Sequence, residues 1–504
     1  MYTVLLENNA FAVSEIILIV AKKEKNVVFL EVCMRKRLLS CLTLAAVLLS
    51  ITACGKKEEK TALETFESEQ TEVTATNDNG ISDAPEETDA TDDTSAKPEE
   101  VAKKVLNIYA PDTNFQYLFN KYYVKSEPAV LEDVTVNWII PDGIYQDALD
   151  EALSKQSTAS ADDKVDLFLI DPEYMAKYTD SLLTLDISTI GAAPSSSMYE
   201  YTVQVASDSN GVVKGFTYRI DPEVLIYRRS IAKAVIGTDD PTEVQASLDT
   251  WEQFAEVAKK AKSAGYYMMA GYDATYSIAC NNLDTPWVSG TTVTIPNSIS
   301  NWLSYTRDLV LDGSCLNVNS WDNKVFEQMS DSGKTMCYFG APWYYALNMY
   351  TAYDEETGSN GDWAICKAPQ SSFWSNYWIL VASSTDDGEL IADIAKFFTE
   401  NEDMCKTLAT KEGILPNNKK VNEALSNDMS LNNTFLGGQN PIGVLSAAAE
   451  DIQYTNHTSY DFMLQIGLQN DFEAFFSGEL TKMDVYDNFK EYLEHAYSNL
   501  SFAD

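Results

Sequence analysis

His457 and His495 are the only two histidines among 504 residues, so a Ser/His or Cys/His relay, or a two-histidine metal site, would have to be built from the last fifty or so residues. Ser230-Ile231-Ala232-Lys233 has the S-x-x-K spacing of serine acyl enzymes, yet no K-T-G or S-D-N partner follows it. Nor does the chain carry a G-x-S-x-G elbow, a Walker A loop or an H-E-x-x-H pair. What remains in quantity is carboxylate and aromatic: 76 acidic residues against 36 basic ones, 9 Trp and 28 Tyr. That combination suits noncovalent capture of a polyhydroxylated ligand, because a sugar ring has an apolar C–H face that lies on a flat aromatic and a rim of hydroxyls that donate to carboxylates and amides. Trp287, Trp343, Trp374 and Trp378 lie in stretches that otherwise read as loops and are the candidate platforms, with Trp343 first among them. Tyr272, in the loop-like stretch from Gly271 to Asn282, is a further candidate. A glycoside hydrolase also needs only two carboxylates, and with 76 acids the count leaves that alternative open. The net charge of about −40 repels polyanions, which excludes nucleic acid and an anionic lipid face as partners.

The elements that must position these residues alternate between strand and helix, the pattern of an α/β fold. Val105 to Ala110 reads as a strand that runs into the loop Pro111-Asp112-Thr113-Asn114, after which Phe115 to Tyr123 is helical. A second strand, Val134 to Ile140, is followed by a helix from Ile144 to Lys155, and Val165 to Ile170 is a continuous apolar strand that stops at Asp171-Pro172. Helices are predicted at Thr250 to Ala264, Glu389 to Glu400 and Met483 to Tyr497, and turns at Asn210-Gly211 and Asn360-Gly361. In an open α/β sheet ligands are met outside the carboxyl ends of the strands, which is where Asp112, Asn114 and Asp171 fall. The same residue types also favour helix caps and turns. Arg219 stands two residues from Asp221, so it either meets a ligand or pairs with that aspartate.

The amino-terminal part is read as an address. Met34-Arg35-Lys36-Arg37 precedes an apolar run from Leu38 to Thr52, about 22 Å long as a helix and short for a membrane span. The run closes in Ile51-Thr52-Ala53-Cys54-Gly55, which resembles the lipobox of bacterial lipoproteins, whose cysteine is acylated. Residues 1–33 are then a non-native extension from a misassigned start, 34–53 a signal peptide and Cys54 the lipid attachment point. From Gly55 to Lys103 there are 15 acidic residues against 5 lysines and almost no aromatic, a composition that cannot offset the entropy of ordering, so 54–103 is predicted to be a disordered acidic tether. Five cysteines remain beyond it, an odd number with no C-x-x-C, so disulfides do not frame the fold.

The order of segments resembles that of extracellular solute-binding proteins, of the family 1 type, that serve carbohydrate ABC transporters. Val165-Asp166-Leu167-Phe168-Leu169-Ile170-Asp171 followed by Leu183-Thr184-Leu185-Asp186 is similar to a stretch of that family's first lobe. Gly215-Phe216-Thr217-Tyr218 leading to Leu225-Ile226-Tyr227-Arg228-Arg229 resembles the first crossing between lobes. Pro241 with Thr250-Trp251-Glu252-Gln253-Phe254 resembles a P-x-T-W-x-E-F helix start, with a longer spacer here. Gly333-Lys334-Thr335-Met336 with Phe339-Gly340-Ala341-Pro342-Trp343 resembles G-K-x-A-M and G-P-W, with Ala341 inserted, and Gly413-Ile414-Leu415-Pro416 stands where the family has G-x-x-P. The resemblance implies a two-lobe periplasmic-binding-protein-like fold of type II with hinge-crossing segments, 104–216 and 376–430 forming one lobe and 220–372 and 431–504 the other. It implies a monomeric, non-enzymatic receptor held by a lipid anchor on the extracytoplasmic face of the cell membrane, binding a carbohydrate and docking on ABC permease subunits, with no cofactor and no metal. It also favours Trp343 as a ligand platform and puts Tyr218 and Arg219, both candidate ligand-binding residues, at the first crossing.

Overall fold

The computed structural model describes residues 104–374 and 377–503. Cys54, the signal sequence and the acidic tether lie outside the described residues. The strands are β1 (Lys104–Tyr109), β2 (Val134–Ile139), β3 (Leu167–Ile170), β4 (Gly215–Phe216), β5 (Pro222–Arg228), β6 (Tyr267–Ala270), β7 (Val288–Ser289), β8 (Thr292–Val293), β9 (Cys315–Leu316), β10 (Thr335–Gly340), β11 (Trp363–Phe373), β12 (Trp378–Val381) and β13 (Ser501–Phe502). They form two five-stranded sheets, ordered β2-β1-β3-β12-β4 and β11-β5-β10-β6-β9, and a small sheet β13-β8-β7. Parallel pairs, β1 with β2 and β3, and β10 with β6, combine with antiparallel ones, β12 with β3 and β4, and β5 with β10 and β11.

The period of two along each strand distributes side chains between cores. In β3, Leu167 and Leu169 enter a core with Leu106, Ile108, Phe115 and Phe398, whereas Phe168 and Ile170 face the other way. In β5, Leu225 and Tyr227 join a core with Phe254, Trp302 and Phe489, while Val224 and Ile226 share a core with Phe168 and Ile170 of the first sheet. One apolar cluster therefore runs from a face of the first sheet to a face of the second.

The chain passes from the first sheet to the second through Thr217 to Asp221, between β4 and β5, and returns in the short stretch between β11 and β12. A third segment lies against the first crossing: the Ile220 N–H donates to Leu415 O (2.9 Å), the Asn417 N–H donates to Tyr218 O (3.0 Å), and Arg219 bridges to Pro416. Asn417 locks it, since its fully buried amide donates to Thr202 Oγ1 (2.9 Å) and Thr217 O (3.0 Å) and accepts from the Tyr199 N–H (3.0 Å).

Local expectations are met where local chemistry decides. The helix Trp251–Ser263 opens on a capping box between Thr250 and Gln253, and Lys482–Ala496 opens on one between Thr481 and Asp484. The five cysteines of this region are all free and buried. Among the described residues no helix is long and apolar enough to cross a membrane.

Candidate ligand-binding site

Beyond the carboxyl ends of β1, β4 and β10 and around the crossing segments lies an open cleft of about 610 Å³. Asn114, Tyr117, Tyr218, Arg219 and the 412–415 segment line it from the first sheet's side, and Trp343, Tyr345, Asn433 and Ile442 from elements that pack with the second. The volume is in the range of small-molecule sites, and its lining mixes apolar faces with a few polar groups.

The turn after β10 aims the aromatic side of the cleft. A Cβ on Gly340 would lie 2.7 Å from the Tyr344 ring, so only glycine lets the chain fold back this tightly. Pro342 and Trp343 follow directly. Half-buried Trp343 meets Trp374 edge to face with centroids 4.8 Å apart and donates its indole N–H to Trp374 O (3.1 Å). Tyr344 and Trp321 complete the cluster, Trp321 reaching Trp374 at 5.9 Å. Each ring is held by two or more others, which orients a platform without further side-chain ordering.

The polar side is prepared as well. Arg219 grips Asp221 with two hydrogen bonds, Nε to Oδ2 at 2.9 Å and Nη2 to Oδ1 at 2.7 Å, and the pair is largely withdrawn from solvent. Glu412 accepts from Lys121 Nζ (2.9 Å) and from the Tyr122 hydroxyl; burial pushes its carboxyl up, but those two bonds outweigh it and hold it below the ordinary carboxylate range. Asp112 caps its own turn, accepting from the Asn114 N–H and side-chain amide, both at 2.8 Å. Asp171 occupies the N-cap position of the turn Pro172–Tyr174 yet makes no side-chain capping bond there. Its carboxyl is raised well above the usual range, by burial first and then by the charges of Glu173 and Asp112. Beside it, the Tyr145 hydroxyl donates to Leu169 O (2.7 Å) and lies 3.0 Å from Tyr109 O, tying together the ends of β1 and β3.

These groups are acceptors, donors and aromatic faces. Ser230 donates to Asp362 and Lys233 pairs with Asp239 at 3.4 Å, so the S-x-x-K pair is drawn to two different acids. His457 is half-buried against Asp461 (3.1 Å) and stacked on Tyr454, and exposed His495 bonds its own helix.

Residues 130–433, more than half of the chain, match the family model of bacterial extracellular solute-binding proteins. The chain belongs to that family. No curated protein matches this solute-binding protein's sequence. Solved structures resemble its fold: an extracellular solute-binding protein family 1 member (TM-score 0.66, 15% identity, 78% of this chain and 99% of that one) and the sugar-binding protein MalE from Xanthomonas citri (0.61, 11%, 78% and 96%). A third is the galacto-N-biose-/lacto-N-biose I-binding protein of an ABC transporter from Bifidobacterium longum, solved with lacto-N-biose (0.57, 14%, 80% and 100%). The solute-binding protein thus has the two-lobe α/β fold of these neighbours.

Of the residues singled out from sequence, the cleft brings together Asn114, Tyr218, Arg219 and Trp343, with Trp374 packed behind Trp343. Asp112 and Asp171 lie at adjacent strand ends, close enough for their charges to interact. Three aromatics are corrected. Trp378 is no loop residue: it opens β12 opposite Ile170, is 2% exposed, and donates to Thr202 O (2.9 Å). Trp287 is fully buried against Phe489, and Tyr272 stacks on Phe476 at 5.1 Å in the same core. Their faces are occupied by protein, which leaves no platform for a ligand. Sequence reasoning missed Tyr117, Tyr345, Glu412 and Asn433, which no motif marks; Glu412 does immediately precede the Gly413-Ile414-Leu415-Pro416 element.

Proposed function

We propose that this solute-binding protein is a lipid-anchored receptor that captures a sugar or oligosaccharide in the cleft and delivers it to the permease of an ABC importer on the extracytoplasmic face of the cell membrane. The observation that carries the reading is the pairing, across one open cleft, of the fixed Trp343–Trp374 platform with the polar rim of Asn114, Tyr218, Arg219 and Glu412. A structural neighbour solved with lacto-N-biose and another solved with beta-1,6-galactobiose support a carbohydrate as the ligand class. The two sheets support lobes of 104–216 with 376–430 and of 220–372 with 431–504, closing over the ligand as a monomer. Function is then a binding equilibrium coupled to closure, with no nucleotide or metal at the cleft and no turnover.

A thermal-shift screen over a carbohydrate panel tests this, since a ligand at a hundred times its dissociation constant stabilises by about 2.7 kcal/mol. Release of reducing ends from an oligosaccharide would instead support a surface-tethered glycoside hydrolase. With a ligand in hand, Trp343→Ala is expected to weaken binding by about 1 to 3 kcal/mol, roughly 5- to 150-fold, with unchanged circular dichroism. A lowered melting temperature at unchanged affinity would make Trp343 a packing residue only. Cys54→Ala is expected to move the protein from the membrane to the soluble fraction, and a variant that stays with membranes would point to an uncleaved amino-terminal anchor.

A further inference from the structure

At the end of the first sheet remote from the cleft, Asp166, Asp386 and Asp387 bring one carboxylate oxygen each within 4.8 Å of one another. Asp166 directly precedes β3, whereas Asp386 and Asp387 lie between β12 and the helix Gly388–Thr399. Because β3 and β12 are antiparallel, with Val381 opposite Leu167, the start of one strand meets the end of the other, and the Ala382 N–H donates to Asp166 O (2.9 Å). Asp171, just past the opposite end of β3, is five residues further along, about 16 Å away in an extended chain.

Asp387 is the anomaly. It is only 4% exposed and stands at the N-cap of a twelve-residue helix, where aspartate ordinarily accepts a helix N–H, yet its side chain takes none. Its Oδ2 is buried and has no hydrogen-bond partner. A buried carboxylate oxygen left in that state is costly unless something absent from a bare chain satisfies it. Its Oδ1 has Lys104 Nζ at 3.5 Å, on a lysine side chain 67% exposed. Asp166, fully buried, accepts from the Asn107 N–H (2.8 Å) and the Thr385 hydroxyl (2.7 Å), neither of which supplies charge. Three formal negative charges thus converge on one loosely held ammonium.

We propose that Asp166, Asp386 and Asp387 bind a calcium ion that clasps the start of β3 to the end of β12. Every donor is a carboxylate oxygen, with no imidazole or thiolate in the set, which selects a hard cation. Oxygens no more than 4.8 Å apart are bridged by one ion at the 2.3–2.6 Å of a calcium–oxygen bond. Asp386 is exposed, so the ion has an entry path and room to keep waters. Its charge would fill the place that Lys104, on the solvent side, leaves only partly answered.

The test uses the purified chain freed of metal by chelation. Calcium chloride is titrated while the melting temperature is followed, and sodium chloride at matched ionic strength reports general screening of the acidic chain. A saturable rise of about 2 to 4 °C is expected with calcium and not with sodium. Asp386→Asn, at an exposed position, should keep the fold and raise the calcium concentration at half-effect at least tenfold; Asp387→Asn should abolish the response. If calcium leaves the melting temperature unmoved, if sodium reproduces the rise, or if Asp386→Asn responds as the parent does, the site does not exist. Equilibrium dialysis with calcium gives a second readout, one ion lost from the parent stoichiometry in Asp387→Asn, and a stoichiometry unchanged by that substitution also overturns the proposal.

Discussion

Glu223→Gln is expected to stabilise the protein above pH 7 by up to about 3 kcal/mol and to flatten its stability between about pH 4.5 and 7. Glu223 is fully buried near the start of β5, just after the first crossing. The β11 irregularity between Lys367 and Ser372 brings Ser372 opposite it. Its carboxylate accepts from Ser277 Oγ (3.0 Å to each oxygen) and Ser372 Oγ (2.7 Å). Burial pushes the carboxyl from its ordinary 4.5 up to about 7, and the two hydroxyl bonds only partly oppose this. Because the folded state holds this proton more tightly than the unfolded state does, stability is lost as pH rises from 4.5 to 7 and the penalty is constant above. Glutamine keeps the shape, accepts one hydroxyl and donates to the other, and carries no charge to bury. Urea unfolding at pH 5 and pH 8 measures the difference, and equal losses of stability in parent and variant across that interval would show that Glu223 is not the group responsible.

Arg219→Ala should destabilise the protein by about 3 kcal/mol, the low end for breaking a buried ion pair, because Arg219 retains some solvent contact while Asp221 is 3% exposed. The substitution takes the counter-charge from a carboxylate that cannot reach water. Arg219→Lys should recover only part of the loss, since an ammonium keeps the charge but not the two-pronged geometry. Replacing both residues by apolar ones of similar volume should cost less than Arg219→Ala alone, which a double-mutant cycle in urea would measure. If Arg219→Ala leaves the unfolding midpoint unchanged and lowers only sugar affinity, the guanidinium serves the ligand and not the crossing.

Much of the architecture is local and so was readable in one dimension. β1 and β2 are each followed by a short turn and a helix close to it in sequence, and the Thr250–Gln253 box needs only three residues of separation. The Arg219–Asp221 pair was one of two alternatives that the two-residue spacing offered, the other being a ligand contact for Arg219. The aromatic-rich, histidine-poor composition pointed to ligand capture while leaving a two-carboxylate hydrolase open, and the turn Gly340 to Trp343 marked a candidate platform.

What tertiary structure alone decided is which side of an element a residue faces, and what distant segment covers it. Trp343 and Trp378 look alike in sequence, but the strand pairing of β12 turns Trp378 into a core that includes Tyr201, and a helix some two hundred residues away closes over Trp287 through Phe489. Glu223 becomes a fully buried acid met by two hydroxyls because an irregularity in β11 sets Ser372 opposite it while Ser277 approaches from the helix Tyr276–Asn281. Asp166 meets Asp386 and Asp387 across 220 residues only because β3 and β12 run antiparallel. Side-chain type and short spacing set what each residue is able to do; burial and long-range pairing, which depend on the whole chain collapsing into cores that span two sheets, set which of those capacities is used.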